Sequence, residues 1–175
     1  MISASLPKYV DARKFFLQRE QVSGLLEIGD LRRLGGLLAD DFGRVYVELS
    51  FFLNDSGERV IKGKVTATLN VICQRCLEKL EILIGDEISL GVIESEDLAL
   101  GLDSSLDPWV CSDYKLSLLE LVEEQLILCL PIVNHHEDPD CANSTDYQAN
   151  VNPKQGDSAK DSPFAVLRTL KTKSL

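Results

Sequence analysis

Two long runs of alternating side chains constrain this chain more than any other feature. Val45, Val47, Leu49 and Phe51 alternate with Tyr46, Glu48 and Ser50. After Asn54, Asp55, Ser56 and Gly57, which supply a turn, the alternation resumes. Ile61, Gly63, Val65, Ala67, Leu69 and Val71 fall on one side, with Lys62, Lys64, Thr66, Thr68 and Asn70 on the other. A period of two is what a strand with one dry face requires, and so short a connection makes the two runs a hairpin. Leu80, Ile82, Ile84, Ile88 and Leu90 predict a third strand, weakened in its middle by Gly85.

After a Gly- and Ser-containing acidic stretch, from Glu94 to Asp107, the period changes. Ser117 and Glu120 fit a capping box, Leu119, Val122, Leu126 and Cys129 share one stripe, and Pro131 stops the run. The main helix therefore spans this segment and packs on the dry face of an antiparallel sheet, giving an α+β fold in one domain over residues 1–141. Glu120, Glu123 and Glu124 read as its wet face. N-terminal to the hairpin the signals mix, and the Gly35-Gly36 pair leaves room for only a short helix within Leu31 to Leu38. Residues 142–161 are almost wholly polar and read as a flexible linker. Ser162 and Pro163 then open a short C-terminal helix in a tail over 162–175, whose Phe164, Val166, Leu167 and Leu170 form an apolar stripe suited to a partner.

The chain has 175 residues, 45% hydrophobic, long enough for one real core. No apolar stretch is long enough to span a bilayer, and the first ten residues lack a basic region followed by an apolar run. Five cysteines, of which only Cys73 and Cys76 are close in sequence, fit a reducing compartment better than a disulfide framework. The expectation is a cytosolic protein. Its net charge of -10 argues against general nucleic-acid binding, which draws on basic residues that neutralise phosphates. The alternative is a local positive face at Lys62, Lys64, Arg75 and Lys79, against the plainer reading of a solvated sheet face.

The sharpest chemical motif is Cys73-Gln74-Arg75-Cys76. Thiolates at this spacing take adjacent corners of a zinc tetrahedron, and His136 and Cys141, in the segment after the helix, supply the other two. The alternatives are a redox pair and four reduced residues with no metal. A redox pair would sit at a helix N-terminus, whereas this one ends a strand. One structural zinc and no metal both stay open on the sequence. Cys111 and Cys129 read as buried core cysteines. There is no glycine-rich phosphate loop and no G-x-S-x-G elbow, and no acid–base pair argues for an enzyme.

Taken in order, Leu69-Asn70-Val71-Ile72-Cys73-Gln74-Arg75-Cys76, the helix from Leu118 with Glu123-Glu124-Gln125-Leu126-Ile127-Leu128 and Leu130-Pro131, the His136 to Cys141 loop and the terminal Pro163-Phe164-Ala165-Val166-Leu167 resemble the YceD family of large ribosomal RNA subunit accumulation proteins. The resemblance implies a bacterial cytosolic factor needed for synthesis, processing or stability of 23S rRNA, with no known catalytic activity. Some relatives are richer in cysteine after the Leu-Pro, where this chain keeps only Cys141. An acidic protein in such a role is expected to act through a protein partner, whether a ribosomal protein, an assembly factor or a nuclease. The alternatives are direct RNA binding through the four basic residues and, less favoured, a thiol- or metal-dependent enzyme.

Overall fold

The computed structural model describes residues 6–144. Its elements in order are β1 (Tyr9–Asp11), α1 (Ala12–Gln18), β2 (Gln21–Leu26), α2 (Arg32–Gly35), β3 (Gly43–Leu53), β4 (Arg59–Ile72), β5 (Lys79–Ile93), β6 (Asp107–Val110), β7 (Lys115–Ser117) and α3 (Leu118–Cys129). Short 3-10 turns stand at Ile28–Asp30, Glu96–Gly101 and Pro139–Ser144. The expected C-terminal helix, with Phe164, Val166, Leu167 and Leu170, lies outside the described residues. So does the expected linker apart from its first three residues, which belong to the last 3-10 turn.

The α+β architecture is the expected one. A five-stranded sheet in the order β2-β3-β4-β5-β6 is antiparallel except for β6, which runs parallel to β5. Both alternating runs keep their phase: Val45, Val47, Leu49 and Phe51 on β3 and Val65, Ala67, Leu69 and Val71 on β4 are buried, while Lys62 and Lys64 are exposed. The third strand runs through Gly85 without a break in register. At Gly63 the strands come so close that a Cβ would lie 2.0 Å from the Glu48 carbonyl oxygen, a place only glycine fits.

One sheet face is covered by α3, packed on β4 and β5, and by α1, packed on β3. Asp11 caps α1 by accepting from the Arg13 N–H, and Phe15 and Phe16 stand edge-on to Phe51 with centroids 5.3 and 5.6 Å away. The mixed local signals of this stretch define neither element in the sequence. A small second sheet pairs β1 with β7 and brings the start of the described chain beside the start of α3. No helix among the described residues is long and apolar enough to cross a membrane.

In α3 the Ser117 cap is as expected, its hydroxyl accepting from the Glu120 N–H. The buried stripe is Leu118, Leu121, Val122 and Leu126, whereas Leu119 and Cys129 are only half-buried. Glu123 departs from its expected place on the wet face. It is 9% exposed and accepts from the backbone N–H groups of Arg33 at 2.6 Å and Leu34 at 3.1 Å. The residue before α2, Leu31, has no side chain able to cap it, so a carboxylate from another helix supplies the acceptor. Glu124 beside it pairs with the Arg33 guanidinium at 2.7 Å. Glu123→Ala is expected to cost about 2 kcal/mol in a urea melt and to quicken amide exchange at Arg33 and Leu34, with Glu123→Gln in between.

Candidate metal centre

The long hairpin of β4 and β5 closes through a tight knuckle. Cys73 N–H donates to the Glu78 carbonyl at 2.9 Å and Leu77 N–H to the Cys73 carbonyl at 2.9 Å, with Leu77 at a φ of 63°. This bend turns both Cys73 and Cys76 into one buried spot at the end of the sheet. The other half arrives from the loop after α3. Leu130 leaves the helix in extended conformation, Pro131 blocks its continuation, and the chain folds back along the knuckle, where Gln74 N–H donates to the Asn134 carbonyl at 2.8 Å and the Gln74 side-chain amide to the Ile132 carbonyl at 3.2 Å.

Arg75 fastens the loop from outside. Its guanidinium donates to the backbone carbonyls of Pro139, at 3.3 Å, and of His136, and lies 3.3 Å from His135 Nδ1. The result brings Cys73, Cys76, His136 and Cys141 together, with one ligand atom from each, all within 4.8 Å of one another. Cys76 Sγ and His136 Nδ1 are 3.3 Å apart. A zinc tetrahedron with metal–sulfur bonds of about 2.3 Å has sulfur–sulfur edges of roughly 3.8 Å, so the cluster needs only slight contraction to hold an ion.

Electrostatics favours an anion at the centre. Burial pushes the Cys73 thiol up, but the N–H groups of Cys76, Arg75 and His136 and the Cys76 thiol outweigh it and bring Cys73 down to about 5. Cys141 moves the other way, raised by burial and by the neighbouring Cys73 and Cys76, with Arg75 opposing. In the metal-free cluster the negative charge therefore settles on Cys73. Burial also raises Cys111 and Cys129, the latter helped by Asp86, and neither joins the cluster. The two behave as ordinary protected thiols.

The four basic residues do not form one patch. From Lys62 to Ile72, the residue paired with Lys79, β4 runs roughly 30 Å. Lys64 sits between Glu48 and Glu87 on the neighbouring strands, Lys79 is paired with Asp40 at 3.2 Å, and Arg75 is committed to the His135–Pro139 loop. That loop-fastening role of Arg75 was not visible in the sequence, because its partners are carbonyl groups some sixty positions on, 61 in the case of His136.

A family model described as "Large ribosomal RNA subunit accumulation protein YceD" matches residues 61–171. The chain is also 31% identical over 175 residues to the large ribosomal RNA subunit accumulation protein YceD of Haemophilus influenzae, covering 99% of this chain and 100% of the relative. The chain belongs to the YceD family. The YceD match begins within β4 and takes in all four cluster residues as well as α3. The relative extends the YceD likeness through β1, β2 and β3. No solved structure matches the chain.

Proposed function

We propose that this chain is a cytoplasmic, non-catalytic factor that supports accumulation of 23S rRNA by binding a protein partner, its fold clipped by one zinc ion at Cys73, Cys76, His136 and Cys141. The observation that carries the rRNA role is membership of a family described by large ribosomal RNA subunit accumulation, with a relative of that name matched end to end. A non-catalytic ion is favoured because four protein donors fill a tetrahedral shell and leave no open position for water or substrate. A protein partner is favoured by the net charge of -10, which repels nucleic acid and attracts the basic proteins that accompany it.

Deleting the gene in its host is expected to lower 23S rRNA relative to 16S rRNA, with recovery on expression of the intact chain. Unchanged 23S rRNA would overturn the reading. In vitro, the purified chain is expected not to bind protein-free 23S fragments specifically at physiological salt. Specific binding there would replace the protein partner with the RNA itself.

A further inference from the structure

We propose that the edge of β2, unpaired among the described residues, accepts an added strand from a basic, extended segment of a partner protein. The proposal deepens the reading above and rests on that partner being a protein. Gln21–Leu26 is the outermost strand of the sheet and contains neither a charged residue nor a proline. Phe51 N–H donates to the Glu20 carbonyl at 2.9 Å, and Gln21 pairs with Ser50, Ser23 with Glu48 and Leu25 with Tyr46. Antiparallel ladders alternate, so Glu20, Val22, Gly24 and Leu26 turn their backbone groups to β3. Gln21, Ser23 and Leu25 turn theirs outward, and among the described residues none of the three makes a backbone bond beyond the ladder.

Sheets usually blunt such an edge. The opposite one does: β6 is four residues long and contains Pro108, which has no N–H to offer. β2 has no such protection, and its surroundings specify what fits. Leu25 is 42% exposed beside Tyr46, and a hollow of about 460 Å³ opens between Leu25, Ile28 and the 76% exposed Phe42. The wall of that hollow carries Glu27 and Asp41 against a single cation, Arg44. Glu20 and Glu27 bracket the strand, Glu48 lies beside Ser23, and none of the four carboxylates forms an ion pair among the described residues.

An added strand presents every second side chain to this outer face. A lysine or arginine opposite Ser23 can reach across that small side chain to Glu48 on β3, and an apolar side chain two positions away, opposite Leu25, meets Leu25 and the hollow. A second copy of this chain fits less well, since it brings the same charge of -10 and the same flanking glutamates.

The test uses the full chain and a labelled short peptide of alternating lysine and valine. Ser23→Pro removes an outward N–H without breaking a ladder bond, which edge strands tolerate. It is expected to leave the melting temperature close to that of the parent and to weaken peptide binding about tenfold. Leu25→Lys, which keeps the backbone intact, is expected to weaken it too. Bound peptide is expected to slow amide exchange at Ser23 and Leu25. Three results would each overturn the proposal: no slowing at those amides, equal affinity for a glutamate–valine peptide, or a concentration-dependent dimer of the chain alone that Ser23→Pro dissolves. Failure with the peptide while gene deletion still lowers 23S rRNA removes only the edge proposal. A deletion without effect on 23S rRNA removes the cellular role and leaves the peptide result standing.

Discussion

Protein prepared without chelators is expected to carry about one zinc per chain and to lose it in Cys73→Ser/Cys76→Ser. Elemental analysis and thermal melting read both outcomes. Cys76 and His136 stand 60 residues apart. A cross-link over that span, taken with the chain-entropy figure used for disulfides, stabilises by about 4 kcal/mol, so stripping the ion is expected to lower the melting temperature by roughly 10 °C. Amide exchange in the 131–144 loop is expected to quicken with it. A metal-free preparation whose double variant melts like the parent would reduce the cluster to four thiol and imidazole groups at a turn. The stripped protein should also respond to pH. Cys73 is held at about 5 in the fold, against about 8.5 for an ordinary thiol. The fold therefore favours its thiolate, and stability is expected to rise from pH 5 to about 8.5 and to fall away on acidification. Cys73→Ser is expected to flatten that slope.

Phe51→Ala is expected to destabilise the chain by about 4 kcal/mol, read as a shifted urea midpoint. Phe51 is 1% exposed, and both aromatic rings of α1 stand edge-on to it, so truncation leaves a cavity that the stiff β3 ladder cannot collapse to fill. Exchange at the α1 amides is expected to accelerate more than at those of α3. A loss below about 1 kcal/mol would mean that α1 is not part of the cooperative core.

These two sites mark the limits of what the sequence discloses. Phe51 could be placed in the core because strand alternation is a local signal, and Val45 to Val71 repeats it until chance is no rival. Its partners could not be placed. α1 has only seven residues, too few for a periodic pattern, and Gly24 interrupts the apolar face of β2. The Asp11 cap ahead of Ala12, Phe15 and Phe16 was the one signal that could have found the helix. At the cluster, spacing and thiolate chemistry were enough to select four residues that the fold does bring together, Cys73, Cys76, His136 and Cys141, since few residue types can ligate a metal. Glu123 was misplaced for the opposite reason. A glutamate among glutamates on a helix carries no mark of an acceptor role for N–H groups 90 residues earlier, at Arg33. Lys64 and Lys79 looked like a basic face because the strand alternation was legible, whereas Glu48 and Glu87, which flank Lys64 in register, and Asp40, which pairs with Lys79, come from neighbouring segments.

The division of the cluster between two distant segments has a consequence for how the protein is made. A chain leaving the ribosome delivers Cys73 and Cys76 early, in the turn between β4 and β5. It delivers His136 and Cys141 only after β5, β6, β7 and α3 have emerged. Tight tetrahedral capture must wait for the last of these ligands. An ion held by all four would act as a latch on a nearly finished domain, since its last ligand, Cys141, follows α3 in the chain.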